Sequence, residues 1–269
     1  MSSAPSKTPP SAEPSIDLDY SIHDFEVEAH RDSLFLFRRL EEAMLDEGSV
    51  KDGRTLDVAC GVAKLTSGFL DRGCEGWGLE PSQEMLDLSE YIGAAEKVVL
   101  VRGVAETLPF AENSFDRVIC QGSLDHFVDP HAFMRDAARI IKPDGRVIIA
   151  LANYESLSCR VGRLANAVGR NVLRRPASEK RPYWDIPLDH YHKGDLAFVR
   201  ALGGDALALE RYYGISLLWL QPAWSLALIA LPRRLADPLL GALDRLARRL
   251  PTMADMIVSV WRPKPGGPS

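Results

Sequence analysis

Five short apolar runs fill residues 54–153, most of them separated by segments of helical periodicity, and few folds accommodate that rhythm. The runs are 54–60 (RTLDVAC), 76–80 (GWGLE), 97–103 (KVVLVRG), 115–121 (FDRVICQ) and 146–153 (RVIIALAN). Residues 64–72, 82–91 and 130–141 carry helical apolar spacing, with Pro81 and Ser82 opening the second segment and Pro130 near the start of the third. The turn Pro143-Asp144-Gly145 launches the fifth run. Strands alternating with helices predict an α/β doubly wound architecture, a parallel sheet covered on both faces. Ligands bind such a sheet at the carboxyl ends of its strands, so each strand end before residue 155 is a candidate site.

The flanks extend the pattern. Phe35, Leu36, Leu40, Met44 and Leu45 predict an amphipathic helix over 31–46. Residues 194–202 read as a helix, 207–213 (LALERYY) as a sixth strand and 256–261 (MIVSVW) as a seventh. Between the last two strands, Tyr212 to Pro232 holds no formal charge. That is long enough to span a membrane. Its start continues the sixth strand, however, and Gln221-Pro222 interrupts it, so an insert is the better reading. An apolar helix is expected over 222–231. A second follows over 236–251, with Asp237 as N-cap, Pro238 in the first turn and Leu239, Leu243, Leu246 and Leu250 as a stripe. Residues 156–185 are basic, with Arg160, Arg163, Arg170, Arg174, Arg175, Lys180 and Arg181 facing Glu179.

These segments give a single domain over 17–263 between disordered tails at 1–16 and 264–269. Within it lie an N-terminal helical region (17–50), a ligand-binding core (51–155), a basic cap (156–195) and a helical insert (214–252). The chain is 46% hydrophobic and 26% charged, which excludes a disordered chain and a disulfide-stapled miniprotein. A net charge of -5 argues against a nucleic-acid partner. Cys60, Cys74, Cys120 and Cys159 form no CxxC pair or zinc-ligand spacing and read as small buried hydrophobes in a reducing compartment. The N-terminus lacks a signal peptide's apolar core, so the expected location is cytoplasmic.

The first strand ends in Leu56-Asp57-Val58-Ala59-Cys60-Gly61-Val62-Ala63, where small residues allow a ligand to approach the backbone. Glu80 closes the second strand, where an acid suits a ribose diol. Together LDVACGVAKLT, GLEPSQEML, VRGVAETLPFAENSFDRVICQGSLDHFVDP and IIKPDGRVIIA resemble the class I S-adenosylmethionine-dependent methyltransferases. Among these, the ubiquinone and menaquinone biosynthesis type is the most similar. The resemblance covers roughly residues 50–153. It implies a Rossmann-like, mostly parallel seven-stranded sheet with a C-terminal antiparallel pair. It also implies S-adenosylmethionine as cofactor and S-adenosylhomocysteine as product.

By the same resemblance, Asp57, Ala59 and Gly61 wrap the methionine side and Glu80 takes the ribose hydroxyls, with Pro81 and Ser82 along the adenine edge. Val104, Ala105 and Glu106 frame the adenine, and Gln121 and Gly122 lie beside the methionine moiety. The family usually has glycine at positions 59 and 63. An Asp is common at 104, where Val104 offers no side-chain acceptor.

The expected reaction is methyl transfer to O, N or C of a small-molecule acceptor, anionic or lipid-linked acceptors included. Two other readings stay open: a non-catalytic methyltransferase-like subunit and an aminopropyl-type transferase. His126, just past the fourth strand, is a candidate base, as are His190 and His192 in LDHYHKGD. Tyr154, Tyr191, Trp219 and Trp224 are candidate acceptor contacts. No metal is expected. The segment 214–250 is the candidate surface for peripheral membrane contact.

Overall fold

The seven expected strands lie side by side in one sheet. The computed structural model of the chain describes residues 30–174, 176 and 181–264. The strands are β1 (Arg54–Val58), β2 (Glu75–Glu80), β3 (Val99–Arg102), β4 (Phe115–Gln121), β5 (Ile141–Ala152), β6 (Leu207–Ile215) and β7 (Met256–Pro263), in the order β3-β2-β1-β4-β5-β7-β6. Neighbours from β3 to β5 pair in parallel, and β7 runs antiparallel to both β5 and β6. The sheet is thus mostly parallel with a C-terminal antiparallel pair, as expected. Strand order reverses between β1 and β4, which opens the crevice where doubly wound sheets bind ligands.

Alternation along the strands sorts side chains to two buried faces. Val118, Cys120, Val147, Ile149 and Leu151 point toward α4 (Pro130–Ile140) and α6 (Leu196–Ala201), meeting Phe133, Ala137 and Val199. Ile119, Ile148, Ala150, Val258 and Val260 face the other way. There they meet Leu36, Leu40 and Met44 of α1 (Arg31–Gly48) and Leu65 and Phe69 of α2 (Lys64–Leu70). α3 (Gln83–Tyr91) follows β2, and Ser82 caps it by accepting from the Met85 amide.

The basic segment 156–185 contains α5 (Leu157–Asn171), capped by Ser156 accepting from the Cys159 amide. Three expectations are corrected. The strand expected at 54–60 stops at Val58 because Ala59 turns left-handed, at φ 58°. In the insert, α7 (Pro222–Ala230) matches, but α8 (Arg233–Arg249) begins before Asp237 and carries Pro238 inside. Asp237 therefore caps nothing. Ala236 and Leu240 pack with Phe35 and Leu228, and this burial carries the helix through a proline that forfeits one backbone bond. Lys264, read as tail, donates its amide to the Ala206 carbonyl. The expected tail at 1–16, with Arg175, Glu179 and Lys180, lies outside the described residues.

Candidate functional site

The loop after β1 is shaped by three left-handed residues, Ala59 (φ 58°), Gly61 (φ 54°) and Ala63 (φ 56°). Glu80 staples this loop to β2: its Oε2 accepts from the Gly61 amide at 2.9 Å and its Oε1 from the Ser82 amide at 3.0 Å. Burial raises the Glu80 pKa while those two amides oppose the rise. Asp57 is buried and accepts from Thr66 Oγ1 at 2.8 Å. Burial, with the Glu80 charge adding to it, pushes its carboxyl up to about 7, against the Thr66 bond.

At the end of β4, Gly122 adopts φ 69°. A Cβ at Gly61 or Gly122 would meet only open space, and Gln121 Oε1 is buried without a hydrogen-bond partner. Open space over two glycines, an orphaned acceptor and two acids fit a group that brings donors, as the amino group and ribose of S-adenosylmethionine do. Of the loop after β3, Ala105 is buried, Val104 is half-buried and Glu106 is tied to the Val128 amide at 2.9 Å. Glu106 therefore already spends one oxygen on holding the two loops together.

Beside this crevice, past the ends of β4 and β5, lies a cavity of about 460 Å³. Gly122 and Tyr154 wall it, as do Phe37, Trp219, Leu220 and Met256, and the segment 181–190 adds Arg181, Tyr183 and His190. Trp219 is anchored by Nε1 donating to Ser33 Oγ and packs edge-on against Phe37 at 5.8 Å. The connector that displays Trp219 and Leu220 holds three left-handed non-glycine residues, Ser216, Leu218 and Leu220. Backbone in this region costs about 1–2 kcal/mol per residue, so packing must hold it.

The titratable cluster on this wall centres on Asp125. It is buried, and His190 Nδ1 lies 2.8 Å from its Oδ2. Its backbone carbonyl accepts from the amides of Tyr191 and His192, which draws the loop over the cavity. Tyr154 Oη lies 3.3 Å from His190 Nδ1, and burial, reinforced by Asp125, drives the Tyr154 pKa far up, so its hydroxyl stays protonated.

His126 stands behind His190, ring centroids 4.2 Å apart, with Nδ1 3.5 Å from Asp189 Oδ2. Burial lowers its pKa, the nearby carboxylates notwithstanding. Among the described residues the cavity wall includes His190 and Asp125 but not His126, His192, Tyr191 or Trp224. His192 stacks on Phe198 and bonds the Phe127 carbonyl. Tyr191 is half-exposed, and Trp224 packs beside Leu228 and Ala236. Asp125, His126 and His190 each offer a metal-ligand atom within 4.8 Å of the others. The 2.8 Å contact already pairs Asp125 with His190, and a cation would have to displace it.

Sequence reasoning missed Asp255. It is buried in the cavity wall, its Oδ2 accepts from the Trp219 amide, and burial pushes its carboxyl up to about 7. A signal existed: β7 is antiparallel, so its first residue, Met256, pairs with Ala152 at the edge where the parallel strands end.

A sequence profile of the methyltransferase domain matches residues 56–149, the stretch that holds the loop after β1, Glu80 and the β4 end. Over residues 56–149 the chain is similar to methyltransferase domains. The chain is 31% identical over 118 residues to an uncharacterised methyltransferase of Mycobacterium tuberculosis, covering 44% of this chain and 47% of that one. It is 31% identical over 112 residues to a ubiquinone biosynthesis O-methyltransferase of Alkalilimnicola ehrlichii, covering 39% and 44%. The chain thus spans about half the length of the curated relatives it matches. The fold is similar to that of the YcgJ protein from Bacillus subtilis at a TM-score of 0.53 and 18% identity, covering 86% of this chain and all of that one. All four cysteines are free thiols, and burial raises the pKa of Cys60, Cys120 and Cys159, which suits packing rather than nucleophilic attack.

Proposed function

We propose that the chain binds S-adenosylmethionine at the β1, β2 and β4 ends and directs methyl transfer to an oxygen of a small hydroxylated acceptor. The acceptor occupies the cavity under residues 181–190, with His190 as general base. The observation that carries this reading is the 2.8 Å Asp125–His190 contact on the cavity wall beside Gly122. When bound, S-adenosylmethionine supplies an electrophilic methyl group on a sulfonium.

Glu80 keeps a second lone pair on each oxygen for the ribose hydroxyls. Asp57 supports the amino-acid end, and Gln121 Oε1 gains a donor there. Asp125 accepts the Nδ1 proton of His190, which leaves Nε2 as the basic atom and stabilises the imidazolium that forms when it takes the acceptor's proton. Such a base contributes roughly a hundred- to ten-thousandfold, and orientation of the reactants contributes more. Arg181 on the wall favours an anionic group on the acceptor, and Phe37, Trp219, Leu220 and Met256 favour an apolar body. The ubiquinone biosynthesis relative is, by its name, an O-methyltransferase.

The test is S-adenosylhomocysteine release across a panel of phenols and hydroxy acids. His190→Gln loses a hundredfold or more in turnover, with cofactor affinity unchanged. His126→Gln loses less than tenfold, and EDTA changes nothing. Loss at His126 with retention at His190 overturns the assignment. Cofactor binding without release on any acceptor favours the non-catalytic reading.

A further inference from the structure

Helix α7 contains no charged residue and turns most of its surface to solvent. Of its nine residues Leu228 is buried, whereas Leu226 and Ile229 are 67% and 58% exposed. A helix apolar on every side belongs in a core or against lipid, and this one lies at the surface. Helix α8 continues the apolar face. Leu235, Leu239, Ala242 and Leu246 recur at i, i+4, i+7 and i+11 and are all exposed, while Ala236, Leu240, Asp244 and Ala247 turn inward. Leu228, Ala236 and Leu240 pack together against Phe35, so both faces belong to one unit. α7 also leads directly out of the cavity wall through Trp219 and Leu220.

The charges flanking this face are positive. Residues 222–250 hold Arg233, Arg234, Arg245, Arg248 and Arg249 against Asp237 and Asp244, on a chain of net charge -5. Asp244 is already held by Arg39 and Arg248. Among the described residues, Arg233, Arg234, Arg245 and Arg249 form no ion pair. The one hydroxyl of α7 is also spent: Ser225 bonds Asp32, while Gln221 at the N-cap accepts from the Trp224 amide. Apart from the arginines that border it, the outward face of α7 therefore offers a partner no side-chain hydrogen-bonding group. Protein interfaces carry about one hydrogen bond per 100–200 Å², whereas acyl chains need none. An apolar face bordered by arginines is the pattern of a helix lying in an anionic lipid interface. No described helix is long and apolar enough to cross a membrane, so the contact is superficial.

We infer that α7 and the outer stripe of α8 seat on an anionic bilayer, and that the acceptor is an amphiphile entering the cavity from it. The second half rests on the acceptor-cavity reading above, but docking itself does not. Flotation of the full chain with vesicles of phosphatidylcholine and phosphatidylglycerol tests docking without any turnover. The chain floats with these vesicles at low salt and at least tenfold less with phosphatidylcholine alone or at high salt. Leu226→Asp/Ile229→Asp abolishes flotation, and Arg233→Glu/Arg234→Glu removes the preference for anionic lipid. In each variant, cofactor affinity and the melting temperature stay at wild-type values. Failure to float at low salt overturns the inference, as does undiminished flotation of Leu226→Asp/Ile229→Asp. Concentration-dependent self-association that the same variant abolishes, without flotation, assigns the face to a second copy instead. Flotation with no methyl transfer on any acceptor keeps docking and rejects the catalytic reading.

Discussion

Asp57 departs far from its free-solution chemistry while sitting where the cofactor is expected. Its pKa in the fold is about 7 against a usual 3.8, because burial disfavours its charge and Glu80 adds to that. Asp255 behaves alike. The sign follows from linkage: the folded state holds these protons more tightly than the unfolded chain does. Their contribution to stability is complete below the unfolded value, declines as pH rises toward 7, and is flat above it. Asp57→Asn keeps an acceptor for Thr66 and removes one titration. Thermal melts from pH 4 to 8 should give a shallower decline for the variant, equal to wild type at the acid end and above it at the alkaline end. Identical slopes would mean that Asp57 is ionised throughout.

At the scale of elements, the loop after β1 is held in a shape that suits glycine better than the alanines it carries. A left-handed alanine costs about 1–2 kcal/mol, and glycine gives back roughly half of that in chain entropy. Ala59 is only half-buried, so Ala59→Gly should stabilise by about 0.5–1 kcal/mol, read as a higher urea midpoint. Ala63 is fully buried, and losing its methyl costs about 0.8 kcal/mol, so Ala63→Gly should be near neutral. If Ala59→Gly destabilises, the loop has another conformation.

The contrast between this loop and the cavity shows how much of the site was legible in the sequence. The loop, Glu80 and the β4 end are local: each lies within a few residues of its own strand end, so alternation of strand and helix placed them. The cavity wall is non-local. Phe37, Tyr154, Arg181, Trp219 and Asp255 come from five separate stretches, and no periodicity records their meeting. His126 drew attention because it sits next to β4. His190 reaches the wall only because the Asp125 carbonyl pulls its loop inward, a contact that spans more than sixty residues. Helix α5 went unread because its arginines mask a capped amphipathic segment.

For the whole molecule, the sheet brings three distant strand ends, at Asp57, Glu80 and Gln121, to one crevice and sets the cavity beside it. In the proposed function the parallel core supplies the cofactor side, and the antiparallel pair with the helices around it supplies the acceptor side. This division predicts that the cofactor binds whatever the acceptor proves to be. Glu80 also staples the loop, so Glu80→Ala would remove acceptors from one buried and one half-buried amide and lower the melting temperature as well as affinity. Glu80→Gln retains an acceptor oxygen and is the cleaner probe. The most direct measurement is calorimetric titration of S-adenosylmethionine into the wild-type chain and Glu80→Gln. One-to-one binding that weakens at least tenfold in the variant is the predicted result; no binding by the wild type, or equal affinity in both, would contradict the account.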